Sequence, residues 1–269
     1  MADPRMPQEM IDWMQNAQWG AHHDQWHFER RWDFWHFLAG QGNQQAQEMV
    51  TYATQQGWSR AAQQEGEAGN GLDFLMMHRA MIILLSQHFP QHTHFLRGWS
   101  TPPQNPADAE DPVTSGDPFD AHRAAGAARI ERSPATFAGD DDFGLFIETN
   151  LRPVTGNPLN RSLDPQTGVH NYLHNRWTDE TSDINLGDPT VNIFNHRFWK
   201  LHGWIDHQWW RFRRAKGYSD ADAQYQSSLQ AYIHMMSGHG PHHAMLRTAE
   251  AIRAATPRPR GFQRSFRES

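Results

Sequence analysis

Cysteine is absent from all 269 residues of the chain. Its absence excludes disulfide frameworks, thiolate metal sites, iron–sulfur clusters and cysteine nucleophiles. Long apolar runs are absent too, since the longest covers only Ala80–Leu85, so no transmembrane helix is predicted. The first thirty residues carry no apolar segment of the signal-peptide type. We therefore expect a cytoplasmic protein that has no membrane partner.

Positive charge is also scarce, because 24 Lys and Arg residues face 30 Asp and Glu residues and give a net charge of −6. Such a balance offers no general basis for binding nucleic acid. The hydrophobic fraction of 38% is enough for a sizeable core. We predict one domain over residues 1–256, with a proline-rich irregular loop region at 99–165, and a flexible Arg-rich tail at 257–269.

Helical signals dominate the rest of the chain, and no segment is rich in strand signals. Pro7 suits a first helical turn, Gly40 and Gly42 suit a helix end, and Asp73 is a plausible helix cap. The fold class is predicted to be mainly α. The predicted helices cover residues 7–38, 43–56, 73–89, 121–132, 167–177, 191–216 and 220–236.

Histidine is unusually abundant, with 18 residues, so a metal site in this chain would use imidazole or carboxylate ligands. Spacing of i, i+4 occurs at His23/His27, His88/His92, His170/His174 and His239/His243. Proline interrupts the second and fourth pairs, at Pro90 and Pro241. Side chains four residues apart on a helix point the same way and can bind one ion together. The first and third pairs are therefore candidate metal ligands.

Two further histidines lie on apolar helix faces. His78 has Phe74, Leu75, Met81, Ile82 and Leu85 at helical offsets, and His202 has Phe198, Trp199, Ile205 and Trp209. Such faces should be buried, and an unpaired polar group there costs about 1–3 kcal/mol. A single histidine of this kind is more often an ordinary core residue, but the same arrangement occurs twice. We predict a four-helix bundle with two sites, His23, His27 and His78 in one and His170, His174 and His202 in the other.

Three neutral imidazoles suit zinc or copper. Di-iron bundles use Glu-rich sites, so the scarcity of bridging carboxylates argues against iron. A pair of sites made of histidine alone suits copper and dioxygen best.

The sequence around these histidines resembles the motifs of the type-3 copper superfamily, which comprises tyrosinases, catechol oxidases and hemocyanins. The segment His170-Asn171-Tyr172-Leu173-His174 is similar to the His-Asn-x-x-His of the family's second copper half-site. The chain then has Asp188-Pro189 and His202-Gly203-Trp204-Ile205-Asp206, similar to the Asp-Pro and His-x-x-x-Asp of the family. The first half-site resembles Phe-Leu-x-x-His-Arg in the residues Phe74–Arg79.

The chain also departs from the family pattern. Gly69 stands where bacterial and fungal tyrosinases have a histidine, and no histidine lies between His36 and His78. The first site must then draw two ligands from the first helix, and His22 and His36 are alternatives to His23 and His27. The gap from Asp188 to His202 is long, which makes His196 an alternative to His202. A thioether cross-link to cysteine is impossible.

The resemblance implies two copper ions that use dioxygen to hydroxylate phenols at the ortho position, and to oxidise o-diphenols or o-aminophenols to quinones. It implies that Asn171 orients a water that takes the phenol proton. Arg161 stands where the family has its partner acid, so either Asp164 or Glu148 is expected to take the place of that acid. Asp206 is expected to hold a ligand or a neighbouring arginine, and Asn175 and Phe198 are candidate substrate contacts.

Three alternatives stay open at this stage: a reversible dioxygen-binding protein with the same copper pair, a mononuclear zinc hydrolase using only His170, His174 and His202, and a helical interaction protein without metal. For the oxidase, the expected partners are dioxygen and a phenolic small molecule or a tyrosyl-containing substrate. A homo-oligomer is left open.

Overall fold

The structure is a computed structural model that describes residues 4–103, 111, 118–149 and 164–239. It is mainly helical, as predicted, and the described residues form no β-strand. The α-helices of this described part are α1 (Gln8–Asn16), α2 (Trp19–Arg30), α3 (Trp32–Gly40), α4 (Gln44–Gln55), α5 (Asn70–His88), α6 (Ala121–Arg132), α7 (Asp140–Glu148), α8 (Val169–Asn175), α9 (His196–Ala215) and α10 (Ala223–His234). Short 3₁₀ turns cover Pro90–Leu96, Pro134–Thr136 and Asn192–Phe194, and a π turn covers Met235–His239.

The single long helix predicted over residues 7–38 is wrong, because the chain forms α1, α2 and α3 there. The first break lies at Gln18, which adopts the left-handed conformation with φ 57°. This break turns α2 against the carbonyl of Thr190, where a Cβ added to Gly20 would lie only 2.1 Å from the oxygen. Glycine is therefore required at the start of α2 for this close approach.

The second break lies at Arg31, whose φ of −112° and ψ of 18° are not helical. The Gln64 side chain bonds to backbone groups on both sides of this break. Its Nε2 donates to the Glu29 carbonyl at 2.9 Å, and its Oε1 accepts from the Asp33 N–H at 3.1 Å. Backbone groups freed by a helix break need such partners when they are buried. The Arg31 side chain turns inward and forms an ion pair with buried Glu65.

The irregular region predicted at 99–165 contains α7 as well as the predicted α6. The first turn of α7 contains three acidic residues, Asp140–Asp142, which favour a helix start because they complement the helix dipole. The predicted start of α5 at Asp73 is also wrong, because Gly69 precedes the helix with φ 94° and Asp73 pairs with Arg30 instead. Similarly, α9 begins at His196, after an Asn195 cap, and not near residue 191.

Helices α5 and α7 cross at two glycines. A Cβ on Gly144 would lie 2.1 Å from the Gly71 carbonyl oxygen, and a Cβ on Gly71 would lie 2.2 Å from the Asp141 oxygen. Gly144→Ala should therefore lower the free energy of unfolding by about 1–3 kcal/mol through overpacking. Gly40→Ala, where nothing lies within 4 Å of the added Cβ, is the matched control and should be neutral or slightly stabilising in urea denaturation. Equal stabilities of the two variants would contradict the close crossing.

A large apolar core surrounds the centre of the bundle, and a smaller one, which includes Phe28, Trp35 and Trp58, lies beneath α3 and α4. Helices α2, α5, α8 and α9 bring the six predicted histidines into this interior. No helix of the described residues is both long and apolar enough to cross a membrane. The predicted tail at 257–269 lies outside the described residues, and the single-domain assignment of residues 1–256 stays a prediction.

Candidate metal centre

The six predicted ligands form two compact groups. The first triad consists of His23, His27 and His78, and the second triad consists of His170, His174 and His202. Within each triad the potential ligand atoms all lie within 4.8 Å of one another, and all six side chains are buried. Each triad therefore has the donor set of a three-imidazole metal site.

In the first triad, backbone carbonyls orient two of the three rings. His23 Nδ1 donates to the Pro189 carbonyl at 2.9 Å, and His78 Nδ1 donates to the Phe74 carbonyl at 2.9 Å. Because a carbonyl oxygen can only accept, each Nδ1 carries the proton and each Nε2 keeps its lone pair. This is the second-partner arrangement that metal-bound histidines usually show.

The second triad is built from the pair on α8 and one residue of α9. His174 Nδ1 donates to the Leu186 carbonyl at 2.9 Å, which leaves its Nε2 as the ligand atom. His170 Nε2 and His202 Nε2 lie 3.3 Å apart. The Nδ1 atoms of His170 and His202 are buried and have no hydrogen-bond partner.

The spacing of the nitrogens fits shared coordination. Two nitrogens bound to one tetrahedral ion at about 2.0–2.1 Å are roughly 3.3 Å apart. The Nε2 atoms of His23 and His27 are 3.1 Å apart, and those of His170 and His202 are 3.3 Å apart. His78 Nε2 is also buried without a partner, which is costly unless a ligand binds it. The residues present therefore fit metal ions.

The two triads face each other directly. The rings of His78 and His202 stack with centroids 3.9 Å apart, and those of His27 and His170 stack at 6.0 Å. Phe198 contacts rings of both triads, with its centroid 5.3 Å from His23 and 4.2 Å from His202. The arrangement is compatible with a dinuclear centre.

Burial favours the neutral form of five of the six imidazoles by lowering their pKa values. It lowers the pKa of His174 to about 3, and it lowers the pKa values of four others well below 6.5, with the neighbouring histidines adding to the effect. These four are His27, His78, His170 and His202. Metal ions bind the neutral imidazole, so the pocket favours the ligand form over the whole neutral range.

Of the predicted catalytic and substrate residues, three are buried with the triads and the fourth, Asp206, contacts an arginine. Asn171 is buried beside His170, and its Nδ2 has no hydrogen-bond partner. Asn175 and Phe198 are buried as well, and Phe198 packs on the ligand rings. Asp206 instead contacts Arg79, with the Nε–Oδ1 distance at 2.5 Å, so it supports the residue that follows His78.

The two substitute acids differ sharply in position. Glu148 is buried, and its Oε1 lies 3.9 Å from His27 Nδ1. Burial, reinforced by the nearby Glu65 carboxylate, raises the pKa of Glu148 well above its ordinary value. Asp164 is exposed and pairs with Arg129 at 3.2 Å. Only Glu148 belongs to the surroundings of the triads.

The three alternative ligands lie outside both triads. His22 is buried next to His23 but belongs to neither group. His36 donates from Nδ1 to the Trp32 carbonyl, and the Nε2 of His196 contacts Asp111 at 3.4 Å. Sequence reasoning missed the Arg31–Glu65 pair and the three carbonyls that orient the rings, and backbone acceptors leave no residue-type signal that could have revealed them.

Comparisons of the chain with protein-family models, with curated proteins and with solved structures found no match.

Proposed function

We propose that this chain is a dicopper oxidase that uses dioxygen to oxidise phenolic compounds, in the manner of the tyrosinases and catechol oxidases that its motifs resemble. The observation that carries the proposal is the pair of adjacent, buried, all-histidine triads. Copper ions in the two triads would together supply two electrons for the reduction of dioxygen. His23, His27 and His78 would hold one ion, and the second triad would hold the other.

The protein's own contribution is to orient the ligands and exclude water. Carbonyls fix the rings of His23, His78 and His174 so that each presents Nε2. Phe74 and Phe198, both fully buried, pack against rings of both triads and keep this interior apolar. A dry, preorganised site strengthens ligand binding and suppresses side reactions.

Hydroxylation of a phenol also requires removal of its proton, whose pKa is about 10 in water. We assign this role to Glu148, acting with Asn171. Burial and the Glu65 carboxylate raise the pKa of Glu148, which makes its ionised form a stronger base than an ordinary carboxylate. The unpartnered Asn171 Nδ2 can donate to a water or to the substrate oxygen.

The alternatives are less well supported. A mononuclear zinc hydrolase would bind its ion in the second triad alone. It does not explain why the first triad also brings three buried histidines together. A metal-free interaction protein leaves the buried Nε2 of His78, the atom that the first triad would offer to a metal ion, without a partner. A reversible dioxygen carrier uses the same ligands, so only an assay separates it from an oxidase.

The direct test is to strip the protein with a chelator, load it with copper and measure metal content and catechol oxidation. We expect two copper ions per chain and steady oxygen consumption with catechol, and zinc-loaded protein serves as the inactive control. Binding of one ion, or two ions without turnover, would overturn the oxidase.

Glu148→Gln should reduce hydroxylation of a monophenol by about 10²–10⁴-fold while largely sparing catechol oxidation, because only the monophenol needs this base.

A further inference from the structure

One loop, here called the connecting loop and defined as residues 185–190, touches both triads. The carbonyl of Leu186 accepts from His174 Nδ1, and the carbonyl of Pro189 accepts from His23 Nδ1, each at 2.9 Å. The two acceptors are three residues apart. A single short segment between α8 and α9 therefore orients one ligand in each triad.

Asp188 fixes the shape of this loop. Its Oδ1 accepts from the Thr190 N–H at 2.9 Å and from the Thr190 hydroxyl at 2.6 Å, which is an Asx-type turn. Asn185 Oδ1 accepts from the Gly187 N–H at 3.1 Å and holds the other end. With both ends held, the carbonyls of Leu186 and Pro189 have fixed directions.

The loop is also packed tightly against the helix that it serves. The Thr190 carbonyl oxygen would lie 2.1 Å from a Cβ at Gly20, so the backbone of α2 rests on the loop one turn before His23. Leu186 and Pro189 are buried, and Asp188 is half-buried. A shift of the loop would therefore move the acceptor of His23 and that of His174 together.

We infer that Asp188 is a positioning residue for both metal sites, so that the two triads share one support and their affinities change together. The inference rests on the metal-binding part of the proposed function. Partners of ligating histidines fix the tautomer and ring orientation, and their loss typically costs about 10–100-fold in metal affinity. An ordinary loop residue would affect neither site, and a residue that serves one site would affect only that one.

The test is a Co(II) titration followed by visible absorption, with chelator competition to obtain the affinities, and it needs no oxidase activity. Asp188→Ala should weaken Co(II) binding about 10-fold or more, both in a His78→Ala background, which leaves only the second triad complete, and in a His202→Ala background, which leaves only the first. Asp188→Asn, whose amide oxygen can accept the same two hydrogen bonds, should restore both affinities.

A matched control lies upstream in the same segment. Asp179 makes the same turn, accepting from the Thr181 N–H at 2.9 Å and from its hydroxyl at 2.8 Å, but it is exposed. The Asp179 N–H also donates to Asn185 Oδ1 of the connecting loop at 3.0 Å, and Asp179→Ala keeps this backbone bond. The variant removes only the side-chain turn and should leave both Co(II) affinities unchanged. Loss at one triad only, or equal losses for the Asp188 and Asp179 variants, would overturn the shared support. Failure of the wild type to bind two Co(II) ions would overturn both the inference and the proposed centre, whereas two bound copper ions without catechol turnover would overturn the oxidase alone.

Discussion

Replacing His78 with alanine should reduce bound copper from two ions to about one per chain and abolish catechol oxidation. His78 is the only ligand that α5 contributes, and its ring stacks on His202 of the other triad at 3.9 Å. With its removal the first triad keeps only two imidazoles, which is too few to hold an ion as the second triad does. Oxidation by a copper pair needs both ions, so we expect activity to fall by at least about 10³-fold, the scale seen when an essential catalytic group is removed.

The control for this variant lies on the same helix. His88 is the last residue of α5, is exposed, and contacts Trp13 with ring centroids 4.6 Å apart. His88→Ala should keep two copper ions and full activity. Helix α9 offers a second test and control. His202→Ala should lose one copper ion and the activity, whereas His207→Ala, at an exposed position, should keep both. Retention of two ions and of activity by His78→Ala would show that the triads are not the metal site.

Acidification should unfold the metal-free protein well before it affects an ordinary domain. Burial lowers the pKa of His174 to about 3 and lowers those of His27, His78, His170 and His202 well below 6.5. Below pH 6.5 the unfolded chain therefore binds more protons than the folded one, so the free energy of unfolding falls as the pH falls. Each such histidine contributes up to about 1.4 kcal/mol per pH unit in this window.

Three carboxyls act in the opposite direction, because burial raises their pKa values in the folded state and so stabilises the fold as the pH falls. They are Glu148, Asp73 and Glu131, three groups against five histidines. The histidines should thus remove several kcal/mol between pH 6.5 and 5, a large part of the roughly 5–15 kcal/mol of a typical domain. Urea unfolding at a series of pH values measures this slope. A flat profile between pH 7 and 5 would contradict the buried neutral cluster.

The six histidines of the two triads could be predicted from the sequence because two independent patterns mark them. The i, i+4 spacing of His170 and His174 and the apolar face around His202 are both properties of residue type and position, and residue type is what a sequence records. Helix boundaries were less predictable. The break at Gln18 depends on a left-handed residue that is neither glycine nor asparagine, and on contact with Thr190, which is distant in sequence.

The surroundings of the ligands were the least predictable part. Proline-rich sequence on both sides concealed α7, so Glu148 could only be named as one of two acids. The acceptors for His23, His78 and His174 are main-chain carbonyls, which every residue possesses. Their function comes from where the folded chain places them, and only the structure can show that.

The hydrogen bond from His23 to Pro189 has a consequence for synthesis on the ribosome. All three histidines of the first triad emerge within the first 78 residues, long before Pro189 has been translated. Chains begin to fold from the amino terminus as they emerge. The nascent chain nevertheless lacks the carbonyl that orients His23 until Pro189 has been made. A nascent first triad would therefore hold a metal ion less firmly than the triad of the complete chain, because one of its rings is not yet oriented.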